Sequence, residues 1–200
     1  MTRPLPLAGL ILRTFAWLPP CFAAWYLAAP VLTTVVAAFA RLFVAFFNAR
    51  LIAATELPQH GLVFVTTLQV RQAQGPAGVL AVEVDPLLYT YGLALFLALA
   101  LAARTRWWRV LAGVAILLPF QGWGIAFDFL AQLGAKLGPE VAADAGLLGA
   151  REFIALAYQL GNLVFPSVVP VVLWVAVNRA YVEGLLPRSA LPPAGPRGAA

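Results

Sequence analysis

The chain has 200 residues, of which 62% are hydrophobic and 10% charged, and its mean hydropathy is +0.89. Soluble domains average about 45–50% apolar and about 25% charged residues, so this composition excludes a water-soluble globule and indicates an integral membrane protein. The net charge of +5 comes from basic residues that stand singly or in short clusters beside apolar runs. Such spacing is typical of membrane topology signals and not of a nucleic-acid-binding face, so we expect membrane lipids and no nucleic acid as partners.

The first apolar run is free of charge over residues 14–40. As a helix it is about 40 Å long, which is enough to cross a hydrocarbon core of about 30 Å, and Pro30 is expected to kink it. A signal peptide is the alternative, because residues 38–40 (AFA) resemble a cleavage site. Signal peptides carry apolar regions of only about 7–15 residues, so the length favours an uncleaved span.

Residues 41–55 stay apolar but include Arg41, Asn48 and Arg50. We expect the helix to continue past the membrane surface and then to lie along it. An overlong first helix is the alternative.

Residues 56–85 change character and predict a β-hairpin insertion outside the cytoplasm. Residues 62–71 are rich in β-branched and aromatic side chains, residues 72–78 contain the Gly-Pro pattern of a turn, and residues 79–84 are typical of a return strand. The hairpin must pack on the helices or on another chain, because two isolated strands are marginally stable in water. The edge of the hairpin can therefore pair with a strand of a partner, or the hairpin only covers the end of the helices.

Three further apolar runs predict spans at residues 87–103, 110–130 and 153–177, which gives about four transmembrane helices in a mainly α, polytopic protein with a single membrane domain. A polar, glycine-rich loop separates the last two runs, and residues 185–200 are expected to be disordered. With the N-terminus inside, eight basic residues face the cytoplasm and five face outward. The positive-inside rule therefore predicts cytoplasmic termini and an external hairpin.

The candidate interaction residues are predicted to lie near the outer interface: Asp128, Arg151, Glu152, Tyr89 and Tyr91. A carboxylate within an apolar run is a functional hypothesis by default. A contact between Asp128 and the start of the fourth span would tie two helices together. Gln121, Gln159 and Asn162 lie at mid-depth, where they can bond across helices or line a polar groove.

Catalytic and cofactor signatures are weak. Cys21 alone cannot form an intramolecular disulfide or a CxxC pair, and the single His60 indicates no zinc or haem site. We therefore predict no cofactor and no catalytic residue, while a carboxylate-only metal site stays open. Cys21 is expected to be an ordinary small core residue.

Three stretches together resemble the exosortase H-associated membrane proteins of Gram-negative bacteria: residues 18–26 (LPPCFAAWY), the hairpin, and residues 85–93 (DPLLYTYGL). The resemblance covers most of residues 10–180 and transfers no functional residue. It implies a bacterial inner-membrane protein with an accessory role beside an exosortase that sorts proteins. Exosortases use a cysteine with arginine and histidine near the outer face. Here Cys21 and His60 are predicted on opposite sides, so the chain is not expected to be the sorting enzyme.

We therefore expect a non-catalytic partner that docks the exosortase or its substrate. An intramembrane enzyme acting on lipid or peptide through Asp128 and Glu152 is the first alternative, and it requires the two carboxylates to lie together at a water-accessible depth. A small transporter or channel subunit is the second, and it requires oligomerisation to form a pore.

Overall fold

The computed structural model describes residues 7–58, 61–70 and 78–185. Helices dominate this part of the chain: α1 (Leu7–Ala45), α2 (Leu87–Thr90), α3 (Gly92–Ala102), α4 (Trp107–Ala131), α5 (Pro139–Asp144), α6 (Arg151–Gln159), α7 (Val168–Val177) and α8 (Arg179–Glu183). Single π-helical turns follow α4 and α6, at Gln132–Lys136 and Leu160–Val164. A 3₁₀ turn, Leu148–Ala150, precedes α6. The predicted disordered tail lies outside the described residues from position 186 onward.

The first helix is longer than the predicted span of residues 14–40. α1 has 39 residues and runs through three prolines. The expected continuation to residue 55 along the membrane surface is wrong, because the helix ends at Ala45 and a strand begins at Ile52. Asn48 gives the local reason, since its Oδ1 accepts a hydrogen bond from the Arg50 backbone N–H at 3.0 Å. Such side-chain bonds to the neighbouring backbone compete with helix.

Within the described residues, two helices are long and apolar enough to cross a membrane, Leu7–Ala45 and Trp107–Gly134. A third span is formed if Leu148–Val164 and Val168–Val177, which meet at a bend of 65°, cross together. The apolar stretch Leu87–Ala102 is shorter, about 24 Å at a rise of 1.5 Å per residue, against a core of about 30 Å. The predicted four-span count is therefore not confirmed and stays a prediction.

The polar insertion is a three-stranded antiparallel sheet of order β1-β2-β3, with β1 at Ile52–Glu56, β2 at Leu62–Val70 and β3 at Gly78–Val84. β2 and β3 pair where the hairpin was predicted, and the turn between them falls outside the described residues at 71–77. A two-stranded insertion is corrected to three strands, because β1 pairs with β2. The sequence of β1, IAATE, has weak strand propensity, so pairing and packing determine its conformation.

One face of the sheet packs on the helices. Its buried apolar residues are Leu62 and Phe64 of β2 and Val82 and Val84 of β3. The rings of Phe64 and Phe129 of α4 pack edge to face with their centroids 5.0 Å apart. We call this end of the molecule the sheet end (β1–β3 and the C-terminus of α4).

At the opposite end of the helices, side chains form hydrogen bonds between the end of α7 and the residues around the start of α4. Thr105 Oγ1 donates to Asn178 Oδ1 at 3.0 Å, and an Arg109 guanidinium N–H donates to the Val177 carbonyl at 3.0 Å. We call this the arginine end (residues 104–109 and the C-terminus of α7). The chain therefore runs from the sheet end to the arginine end through α3, returns through α4, and travels back again through α6 and α7.

Candidate functional site

Tyr89 and Asp128 are brought together in the core. Tyr89 lies on α2 and is 2% exposed, and Asp128 lies on α4 and is 8% exposed. The Tyr89 hydroxyl donates a hydrogen bond to the Asp128 carboxyl group. A polar pair formed across two helices in an apolar environment stabilises their packing. Two of the five predicted interaction residues, Tyr89 and Asp128, therefore contact each other in the core.

Close helix packing places Tyr89 beside this carboxyl group. A Cβ built on Gly124 would collide with the Tyr89 ring, so only glycine permits α2 to pack this closely on α4. A Cβ built on Gly161 would likewise lie 2.8 Å from the Gly124 Cα, so the second π-helical turn also approaches α4 closely. Trp123 Nε1 adds a hydrogen bond to the Ala157 carbonyl at 3.1 Å.

Arg151 and Glu152 lie in different surroundings. Both are exposed in the first turn of α6. They line a cavity of about 700 Å³, whose remaining walls are Ala131, Gly134, Leu148, Gly149, Ile154 and Ala155. This volume falls within the range of about 300–1,000 Å³ that is usual for binding pockets.

The predicted tie between Asp128 and the start of the fourth span stays a prediction. Asp128 has a partner on α2, and a salt bridge joins Arg179 to Glu183 on α8 at 2.7 Å. Tyr91 is half-buried at the break between α2 and α3.

Polar contacts around Thr90 were not anticipated. Trp25 Nε1 donates to Thr90 Oγ1 at 3.2 Å, and Gln121 Nε2 points at the Thr90 carbonyl at 3.5 Å. Gln121 was visible as a polar residue in an apolar run. Trp25, at the middle of α1, and Thr90 gave no separate signal, because their contact joins residues that are 65 positions apart in sequence.

Metal and thiol chemistry has little support in the part of the chain that the structure describes, where no group of three or more His, Cys, Asp or Glu side chains could hold a metal ion. Cys21 is buried and packs against Ala94 and Ala98 of α3, as a small apolar residue does. His60 lies outside the described residues.

A family model for exosortase H-associated membrane proteins matches residues 4–181. Comparisons with curated proteins and with solved structures gave no match. The matched range extends from α1 into α8 and so includes both the buried pair and the cavity.

Proposed function

The chain belongs to the exosortase H-associated membrane protein family, and from this premise we propose that it is a non-catalytic accessory protein that docks the exosortase or its substrate. The family description states membrane location and association with an exosortase. The docking role is our proposal. So are the bacterial inner membrane, the cytoplasmic termini and the placement of the sheet end at the outer face, which rest on the distribution of basic residues.

The cavity at the start of α6 is the observation that carries this proposal. Two of its walls, Ala131 and Gly134, flank Gln132, whose Nε2 donates to the Glu83 carbonyl of β3 at 3.1 Å. The cavity therefore adjoins the sheet. Its rim combines exposed Leu148 with the opposite charges of Arg151 and Glu152, which suits a polypeptide that enters the membrane with apolar side chains and a polar end.

The sheet offers a second contact for such a polypeptide. β1 and β3 are the two edges of the sheet, and β1 has three exposed residues of five. Exposed strand edges bind extended segments through main-chain hydrogen bonds. Because the Glu83 carbonyl of β3 already accepts a hydrogen bond from Gln132, we define the docking surface as the cavity rim together with the β1 edge of the sheet.

The environments of the carboxylates favour docking over catalysis. Glu152 is exposed at the cavity, whereas Asp128 is buried and bonded to Tyr89. An acid–base pair needs both groups within reach of one substrate. The proposed role therefore assigns Glu152 to partner binding and Asp128 to helix packing.

Site-specific photo-crosslinking tests the proposal. A benzophenone amino acid replaces Ala155, an exposed residue of the cavity wall, in native membranes that contain the exosortase and a sorted protein. We expect a crosslinked product with one of these two proteins. Leu111, which is exposed on α4 near the arginine end, is the matched control and should give none. The proposal fails if position 155 yields no product with either protein, or if both positions yield the same one.

A further inference from the structure

Gln121 presents a buried oxygen that needs a donor. The residue is 5% exposed, and its Oε1 is a buried atom without a hydrogen-bond partner. Its Nε2 donates to the Thr90 carbonyl at 3.5 Å, whereas no donor among the described residues reaches Oε1. An unpaired polar atom in the interior of a protein is costly, and surrounding lipid offers no donor. The Oε1 atom of Gln121 therefore needs a hydrogen-bond donor in the protein interior.

A second acceptor belongs to a residue that lines the same small cavity. The Pro166 carbonyl would receive its α-helical hydrogen bond from residue 170, which is a proline and has no N–H. Both prolines line the cavity together with Gln121. At Gly92, a Cβ would collide with the Pro166 oxygen, so only glycine permits this carbonyl to lie so close to the start of α3.

The cavity fits one water molecule. Its volume is about 10 Å³, close to the smallest space that holds a water. Leu117, Phe120 and Phe165 form apolar walls, so the site does not offer the six or more oxygens that a hard cation such as Ca²⁺ takes. Two carbonyl-type acceptors cannot bond to each other, but a water supplies two O–H donors and bridges them.

We propose that a single structural water occupies this cavity and donates one hydrogen bond to Gln121 Oε1 and the other to the Pro166 carbonyl oxygen. The water thereby replaces the bond that Pro170 cannot make and links α4 to the 65° bend between Leu148–Val164 and Val168–Val177. The inference does not depend on the proposed docking role, because the docking surface lies elsewhere.

Crystallography of the full-length protein in a lipidic phase, at a resolution that shows ordered water, tests the proposal directly. We expect a density peak at about 2.7–3.2 Å from both oxygen atoms. The absence of such a peak, or a peak that bonds to only one of the two oxygens, would overturn the bridge.

A pair of substitutions tests the bridge in solution. Gln121→Met should lower the thermal unfolding midpoint of the detergent-solubilised protein, because the water and the Pro166 carbonyl both lose a partner. Pro170→Ala restores an N–H that can bond to the Pro166 carbonyl, so the loss caused by Gln121→Met should be smaller in that background. An equal loss in both backgrounds contradicts the bridge.

Gln159→Met, which alters an exposed amide on α6, is the control and should leave the midpoint unchanged. If a variant does not fold, the crystallographic result on the wild type decides.

Discussion

A carboxyl group within a helix that crosses lipid requires a hydrogen-bond partner, and here Tyr89 supplies one to Asp128. Hydrogen bonds between membrane helices contribute roughly 0.6–2 kcal/mol.

Replacing Tyr89 with Phe removes the hydroxyl and retains the ring. We expect the free energy of unfolding to fall by about 1–2 kcal/mol, measured by denaturant titration in mixed micelles. Tyr91→Phe removes the same atom from a half-buried residue and should change the free energy by less than about 0.5 kcal/mol. Equal effects at the two positions would show that the bond to Asp128 is not the cause.

Arg151 and Glu152 should behave in the opposite way. Because both are exposed, the double substitution Arg151→Ala and Glu152→Ala should leave the free energy of unfolding within about 0.5 kcal/mol of the wild type. It should nevertheless reduce the crosslinked product formed from position 155. Arg106→Ala, an exposed change at the arginine end, should preserve that product. A large loss of stability in the double variant would assign these residues to folding and not to docking.

The sequence identifies candidate residues better than it identifies their contacts. Asp128 stands out because a carboxylate in an apolar run is rare. Tyr89 is a candidate because it is predicted to lie near the same outer interface. The bond between them depends on which faces of α2 and α4 meet, and that contact needs a glycine at position 124, where a Cβ would collide with the Tyr89 ring. The cavity at Arg151 likewise depends on tertiary packing that periodicity does not encode.

At the scale of elements, the contact between α4 and the π-helical turn Leu160–Val164 depends on the absence of side chains. Gly161 and Gly124 allow the two backbones to approach, and Trp123 bonds across the same interface. Any added atom at position 161 must displace backbone and not a flexible side chain.

Gly161→Ala should therefore destabilise the protein by about 1–3 kcal/mol, the usual cost of overpacking. Gly134→Ala is the matched control, because a Cβ there has no neighbour within 4 Å, and its effect should be neutral or slightly stabilising. The free energy of unfolding in micelles distinguishes the two. Equal losses would mean that helical glycines matter here for a reason other than close approach.

Long apolar runs were the most predictable elements. α1 and α4 contain the runs of residues 14–40 and 110–130 because a single conformation satisfies every backbone hydrogen bond in lipid. β2 and β3 followed from β-branched and aromatic residues. The sequence does not predict β1, because pairing with β2 determines its conformation. It does not predict the 65° bend either, because prolines mark a break in a helix without giving its angle.

For the whole molecule, the number of membrane crossings depends on whether Leu87–Ala102 spans the bilayer. Glu83 precedes this stretch and Arg106 follows it, and both are exposed. The two positions therefore report directly on the two ends of the short helix.

Cysteine labelling settles the number of crossings. In a Cys21→Ser background, we expect Glu83→Cys to react with a membrane-impermeant maleimide in intact cells whose outer membrane is permeable. Arg106→Cys should react only after lysis. Reaction of both positions in intact cells would mean that the short helix does not cross, and the reverse pattern would mean that the protein is inserted with its termini outside.

The unequal lengths of two neighbouring helices have a consequence for the surrounding lipid. α1 is about 58 Å long, and it packs on α3 through Cys21, Ala94 and Ala98. The stretch Leu87–Ala102 beside it is about 6 Å shorter than the hydrocarbon thickness of a typical bilayer. If both cross, α1 tilts, kinks or extends beyond the hydrocarbon core, while the acyl chains next to α3 compress, at a fraction of a kcal/mol per Å of hydrophobic mismatch. The protein would then carry a thinned annulus on one flank and partition toward thinner regions of membrane.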